Sequence, residues 1–135
     1  PEGYGATLAI TQALAMSGLA PSQIDYINMH GTGTPNNDLS ESMATKAVFG
    51  DNVPKFSSTK AFTGHTLAAA ASIEAVISVL SLQNSMIFPN LNFTTPIADM
   101  NLIPETQLVN TPLNTILSNS FGFGGNCSSL IFKKA

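Results

Sequence analysis

Arginine is absent from this 135-residue chain, and its five lysines stand against eight acidic residues for a net charge of −3. No basic stripe is available to neutralise phosphates, which argues against nucleic acid as a partner. Cysteine occurs once, as Cys127. A lone cysteine excludes an intrachain disulfide and a multi-cysteine zinc site, and fits a reducing compartment, with the cytoplasm as the expected address. Charge of either sign is scarce, at 10%, against roughly a quarter of the residues in an ordinary soluble domain. Part of the surface is therefore expected to be covered by another domain or subunit. A long uncharged apolar run is also missing. The nearest candidate, Leu67 to Leu82, carries Glu74 and is mostly alanine and serine. It is shorter than the roughly 20 residues a membrane helix needs, so it is expected to be a buried helix of a soluble domain with no membrane partner. No basic, apolar signal segment opens the chain, whose start at Pro1-Glu2-Gly3 reads as an excised boundary that could hide one.

Hydrophobic residues make up 44% of the chain, enough to fill the core of one domain. Leu8, Ala9, Ala13 and Met16 recur at helical spacing, and Gly18 followed by Pro21 ends that helix near Ser17. Ile24 to Met29 reads as a buried parallel strand. Asn36 to Phe49 reads as a second helix, capped by Asn36 or Asn37, closed by Gly50, and apolar along Leu39, Met43, Ala44, Ala47 and Val48. A short strand over Lys55 to Thr59 precedes a long helix from Gly64 to Leu82. Its four alanines, at positions 68 to 71, would let it pack closely. Phe88 to Glu105 is a proline- and asparagine-rich connection without a period. Thr115 to Ser118 and Ser129 to Phe132 then form two strands joined by a glycine-rich loop. This order predicts an α/β fold: a mostly parallel mixed sheet with an antiparallel end, covered by helices.

Only two histidines occur, His30 and His65, and each follows a strand-like run at a glycine- and threonine-rich turn that opens a helix. Such strand ends face the crevice where open α/β sheets bind ligands, so the two imidazoles are expected to form a catalytic pair. Placed at a helix N-terminus, His65 would be held neutral, which suits a hydrogen-bond donor to an oxyanion or enolate. Between Lys60 and Asp99 the only charged residue is Glu74, set among apolar neighbours. A buried carboxylate needs a partner, and Lys60 is the one at hand. Thr32 and Thr34 flank Gly33 and offer hydroxyls to a polar ligand or to the turn itself. Asp38 and Glu41 lie one helical turn apart near a helix start, and the macrodipole gives both a structural reading. Phe121-Gly122-Phe123-Gly124-Gly125-Asn126 alternates aromatic and glycine residues, exposing backbone N–H groups that could hold an oxyanion or form a plain bulge. Cys127 leads into a hydrophobic strand with no neighbouring histidine and reads as an inert thiol.

Assembled, these residues resemble the C-terminal half of the β-ketoacyl-acyl carrier protein synthases, the condensing enzymes of fatty acid and polyketide synthesis. Three motifs in order carry the resemblance over nearly all of residues 1–135. They are His30-Gly31-Thr32-Gly33-Thr34-Pro35 with Asp38, Ser58-Thr59-Lys60 to Gly64-His65 with Glu74, and Asn119-Ser120-Phe121-Gly122-Phe123-Gly124-Gly125. The resemblance implies a thiolase-like fold with the active site between two similar halves, and two histidines mark the elongating type. It implies that His30 and His65 donate hydrogen bonds to the malonyl thioester carbonyl, and that Lys60 and Glu74 hold the His65 turn. Thr32 and Thr34 would line the pantetheine channel. The Phe121 N–H would serve an oxyanion hole and its ring would gate the acyl pocket. Phe123 would contact substrate, while Asp38, Gly122, Gly124 and Gly125 would support the loops. No metal or resident cofactor is implied, because phosphopantetheine arrives on the acyl carrier protein, the partner that brings the malonyl and acyl thioesters. The parent is expected to be a homodimer.

The family's nucleophilic cysteine belongs to the missing N-terminal half, so this polypeptide alone is expected to be inactive. The family commonly shows threonine then asparagine after the last glycine, where this chain has Asn126 and Cys127. A second reading makes the parent a non-catalytic chain-length partner subunit of a polyketide-type heterodimer, which would not need both histidines. A third, a metal hydrolase with His30, Asp38 and His65 as ligands, matches no compact ligand spacing.

Overall fold

The computed structural model describes residues 2–135. Its centre is a short strand, β1 (Tyr26–Asn28), buried along its whole length. It is flanked in parallel by β2 (Lys55–Ser57) and β5 (Thr115–Phe121), pairing Tyr26 with Lys55 on one side and Ile116 on the other. Strand β6 (Cys127–Lys133) returns antiparallel to β5, giving the sheet order β2-β1-β5-β6. The expected mixed sheet with its antiparallel end is therefore present.

Helices cover both faces. Helix α1 (Tyr4–Ser17) stops at Gly18, whose left-handed backbone lets the last carbonyls be capped. Helix α2 (Pro35–Phe49) packs beside α1. Ala6, Ile10 and Leu14 of α1 close a core with Ile27, Met29, Leu117, Ala44 and Phe49. On the opposite face Leu82, from helix α4 (Ala70–Asn84), joins Tyr26, Ile87, Leu113 and Ile116 in a second core.

Several expectations about the helices need correction. The single helix from Gly64 is broken: a short α3 (Lys60–Thr63) ends at Gly64, a loop follows, and a 3-10 turn over Leu67–Ala69 leads into α4. The buried face of α2 is Glu41, Ser42, Ala44, Thr45 and Phe49, with Leu39 and Ala47 turned outward. Its cap residue is Thr34, with no side-chain capping bond, because the Asn36 and Asn37 positions already lie inside the helix. The connection over 88–105 sits between two short strands, β3 (Met86–Ile87) and β4 (Val109–Asn110), which pair antiparallel. Its Asn92, Asp99 and Asn101 adopt positive φ, which removes any regular period.

A further correction concerns α4 itself. Its buried residues are Ala70, Glu74, Ser78, Ser81 and Leu82, mostly polar, while Val76, Val79 and Leu80 are exposed. Of the four alanines only Ala70 is buried. By length and composition Leu67–Asn84 could cross a membrane, with mean hydropathy 1.4. Within the chain, however, it is an inverted amphipathic helix, with a polar side against the sheet and an apolar side outward.

The α1 orientation yields a contrast on one helix. Ile10 is fully buried and Leu8 is 45% exposed. Ile10→Ala is expected to cost about 2–5 kcal/mol of stability, and Leu8→Ala less than about 1 kcal/mol. Denaturant unfolding of the two variants checks the difference.

Candidate active site

Parallel neighbours release their chains at the same sheet edge, and β1 and β2 do so here. The Met29 N–H donates to the Ser57 carbonyl at 2.9 Å, and the Ser58 hydroxyl donates to the Gly31 carbonyl at 3.0 Å. These bonds staple the His30 turn to the Lys60 turn. Gly31 is required at this contact: its φ is +46°, and a Cβ there would lie 2.5 Å from the Ser58 Cβ.

Lys60 opens α3 with its side chain buried. Its ammonium bonds the Glu74 carboxylate and the His30 carbonyl, and reaches the His30 Nδ1 at 3.3 Å. The expected Lys60–Glu74 pair is thus formed, but its hydrogen bonds run to His30 rather than to the His65 turn. An ammonium has only donors, so the Nδ1 it contacts must accept, and the His30 proton resides on Nε2. Burial, the Lys60 charge and His65 together lower the His30 pKa to about 4, leaving a neutral imidazole near pH 7. Burial also raises the Glu74 pKa, against the pull of Lys60.

His65 lies in the loop between α3 and the 3-10 turn, not at the start of a long helix. Its tautomer is set by another device. The Leu67 N–H donates to the His65 Nδ1 at 3.1 Å, which also leaves the proton on Nε2. Leu67 accepts a left-handed backbone, φ 53°, to aim that N–H, a conformation unusual for a bulky residue. The two imidazoles converge: their ring centroids are 5.4 Å apart with planes near perpendicular, at 85°. The Phe121 ring stands 5.9 Å from His30. Chain positions 30, 65 and 121 thus meet at one place.

The other candidates divide. The Thr32 and Thr34 hydroxyls bond each other at 2.9 Å on the turn surface. Asp38 accepts from the Gly33 N–H at 3.2 Å, a supporting bond within the turn. Phe123 stands fully exposed on a 3-10 turn, with Gly124 and Gly125 at φ 79° and 84°. The Gly122 N–H donates to the Asn126 carbonyl at 2.7 Å, closing the loop through backbone. Burial, then the Glu41 charge, raise the Cys127 thiol pKa, in line with an inert thiol. Among the described residues no three of His, Cys, Asp and Glu gather closely enough to hold a metal ion.

Glu41 departs from the macrodipole reading. It is buried, and its carboxylate accepts the backbone N–H groups of His30 and Gly31, each at 2.8 Å, and the Asn119 amide at 3.3 Å. Helical spacing marked Glu41 only as a carboxylate one turn from Asp38, stabilised by the macrodipole. Its signal was a carboxylate on what is otherwise the small-residue face of α2, together with Ala44 and Thr45.

A profile described as the β-ketoacyl synthase C-terminal domain matches residues 1–94. The 3-oxoacyl-[acyl-carrier-protein] synthase 1 of Haemophilus influenzae is 46% identical over 137 aligned residues, covering 99% of this chain and 33% of that protein. The mitochondrial 3-oxoacyl-[acyl-carrier-protein] synthase of Arabidopsis thaliana is 44% identical, over 97% of this chain and 30% of its own length. The chain thus spans about a third of the length of these relatives. Among solved structures, the ishigamide ketosynthase/chain length factor superposes with TM-score 0.95 at 32% identity, over 100% of this chain and 34% of that one. A type II polyketide ketosynthase in complex with its acyl-carrier protein gives 0.93 at 34% identity, over 99% and 34%. These likenesses accord with the thiolase-like fold.

The depressed His30 pKa fixes the sign of a pH effect. The unfolded imidazole, with the ordinary value 6.5, binds a proton more readily than the folded one at about 4. The contribution of His30 to stability is therefore complete above about pH 6.5 and is lost as pH falls toward 4. Thermal midpoints of the wild type and His30→Gln across that window should show the wild type losing ground steadily relative to the variant, the Lys60 and His65 surroundings being common to both.

Proposed function

The chain belongs to the β-ketoacyl synthase C-terminal domain family, and on that premise we propose that it supplies the histidine pair of an elongating 3-oxoacyl-acyl carrier protein synthase. The observation that carries the proposal is the pairing of two imidazoles 5.4 Å apart, each with its Nδ1 engaged by a donor and its Nε2–H left to give away. Two neutral N–H donors close together suit one developing oxyanion, where fixed dipoles are worth most.

In this reading an acyl group waits as a thioester on a cysteine in the part of the protein beyond this chain. Malonyl-acyl carrier protein enters, and its carboxylate leaves as carbon dioxide. The electron pair of the broken carbon–carbon bond moves into the thioester, forming an enolate whose oxygen takes the hydrogen bonds of His30 and His65. The enolate carbon then attacks the acyl thioester and expels the cysteine thiolate. Neither histidine gains or loses a proton in the decarboxylation, which suits a ring whose protonation is resisted down to about pH 4. Lys60, held by Glu74, keeps the His30 ring in its donor tautomer. Phe121 borders the pair, which fits a gate to the acyl pocket. Thr32 and Thr34 fit the wall of a phosphopantetheine channel, and the exposed Phe123 fits a contact for the arriving arm.

The outward apolar side of α4 suits burial against the remaining two-thirds of the polypeptide, where the nucleophile would reside. The isolated chain would then be inactive. The parent would work as a homodimer with acyl carrier protein as its substrate-bearing partner, in a reducing compartment such as the cytoplasm. No cofactor or metal is called for, since the pantetheine thioester arrives on the carrier. Both histidines and their orienting donors are intact, which favours a catalytic subunit over a chain-length partner subunit.

In the full-length protein, His30→Ala and His65→Ala are each expected to lower malonyl decarboxylation by about 100-fold or more, while the acyl group still transfers to the cysteine. Assays of carbon dioxide release and of acyl-enzyme formation separate the two steps. Undiminished decarboxylation in both variants would remove the proposal.

A further inference from the structure

The segment between β3 and β4 carries none of the groups assigned to the condensing site, yet it is built as a closed loop. Its two ends meet, the Asn90 N–H donating to the Glu105 carbonyl at 2.7 Å. Both ends are tied to β2 and the turn after it. The Glu105 N–H donates to the Phe56 carbonyl at 2.9 Å, the Ser58 N–H donates to the Asn90 Oδ1 at 2.9 Å, and Glu105 pairs with Lys55. Residues 91–104 between these ties form neither helix nor strand, which makes the segment a compact loop of the Ω class, a kind that often carries function. The loop does not collapse onto the domain. Beneath it lies a cavity of about 190 Å³, partly open to solvent, walled by Met29, Phe56 and the first turns of α2 and roofed by Phe93, Ile97 and Met100. An apolar cavity of roughly 150 Å³ is already large enough to admit benzene.

We propose that this cavity is a binding site for a small uncharged molecule with an apolar body and a single hydroxyl or carbonyl group. The apolar body answers to the walls and roof. The polar group answers to Ser42, which lines the cavity from α2, is only 9% exposed, and has no hydrogen-bond partner for its hydroxyl among the described residues. A buried hydroxyl can give or accept a hydrogen bond, and leaving it without either costs free energy. Charge of either sign is disfavoured. An ion would leave water for a chamber with an apolar roof, and an anion would also meet the carboxyl groups of Asp38 and Glu41 with no lysine among the lining residues. Gly31 and Gly33 border the cavity and neither histidine does, so an occupant sits behind the His30 turn, apart from the paired imidazoles. The inference stands on this geometry and does not depend on the condensing-enzyme reading.

Phenol, benzene and benzoate share one ring and differ in the group it bears, so together they test size, hydroxyl and charge. In the full-length protein, phenol should raise the thermal midpoint saturably, with half-saturation on the order of 1 mM. Benzene should bind about fivefold to tenfold more weakly, the effect of one net hydrogen bond, and benzoate should not raise the midpoint. Ser42→Ala should bring phenol to the level of benzene and leave benzene unchanged. Met100→Trp, which fills the chamber from its roof, should remove the binding of both. Hydrogen-exchange mass spectrometry with phenol should show added amide protection in peptides spanning 90–105 and 29–34, with α1 peptides unaffected. No saturable rise with phenol, added protection confined to other peptides, or benzoate binding as tightly as phenol overturns the proposal. Equal affinity of phenol and benzene for the unsubstituted protein overturns the hydroxyl recognition without recourse to a variant. None of these readouts is an activity, so a failure of the condensing-enzyme reading leaves every one of them unchanged.

Discussion

The buried ion pair of Lys60 and Glu74 is the constraint around which this half of the fold is arranged. Neither charge could be left alone at that depth, since removing one partner of a buried pair typically costs about 3–5 kcal/mol. Their contact also dictates the path of the chain between them. The two residues are 14 positions apart, and on a straight helix that interval would separate them by roughly 21 Å at 1.5 Å per residue. The chain must therefore break and fold back between α3 and α4, and the break is where His65 sits. Ion pair and irregular loop are one structural fact, and the loop gives the second imidazole its place beside the first.

Each imidazole is then oriented by a different kind of donor. For His30 it is a side-chain ammonium anchored by a carboxylate from α4, and for His65 it is a main-chain N–H whose residue accepts a left-handed backbone. The two devices leave the same nitrogen protonated. Unlike parts thus reach the same arrangement, an Nδ1 that accepts in each ring.

Much of this was legible in the residues. The glycine- and threonine-rich turns after short apolar runs marked both histidines, and the isolation of Glu74 from other charges identified its lysine. The hairpin over β5 and β6 announced itself through the glycine loop between apolar strands. The helices were harder, for a physical reason. Periodicity shows which residues share a face, but not whether that face looks inward. In α4 the rule that apolar means buried fails, because Glu74 and Ser78 serve the polar interior near the site, while Val76, Val79 and Leu80 look out. Helix α2 shows the same reversal at Glu41, whose partners are backbone N–H groups and an amide 78 positions away. A side chain bonded to main chain leaves no complementary residue in the sequence to betray it. The β3–β4 pair escaped notice because two-residue strands carry no alternation to read.

The pairing of the central strand sets the order in which this molecule can be assembled. Tyr26 has as its neighbours Lys55 and Ile116, so one side of β1 pairs with a stretch nearby in sequence, while the other pairs with one far along the chain. Without β5, β1 keeps a bare strand edge and both cores stay incomplete, because Leu117 completes one and Leu113 and Ile116 the other. Closing so long a loop is slow compared with forming a helix. The sheet is therefore completed by its last two strands, which also close both cores.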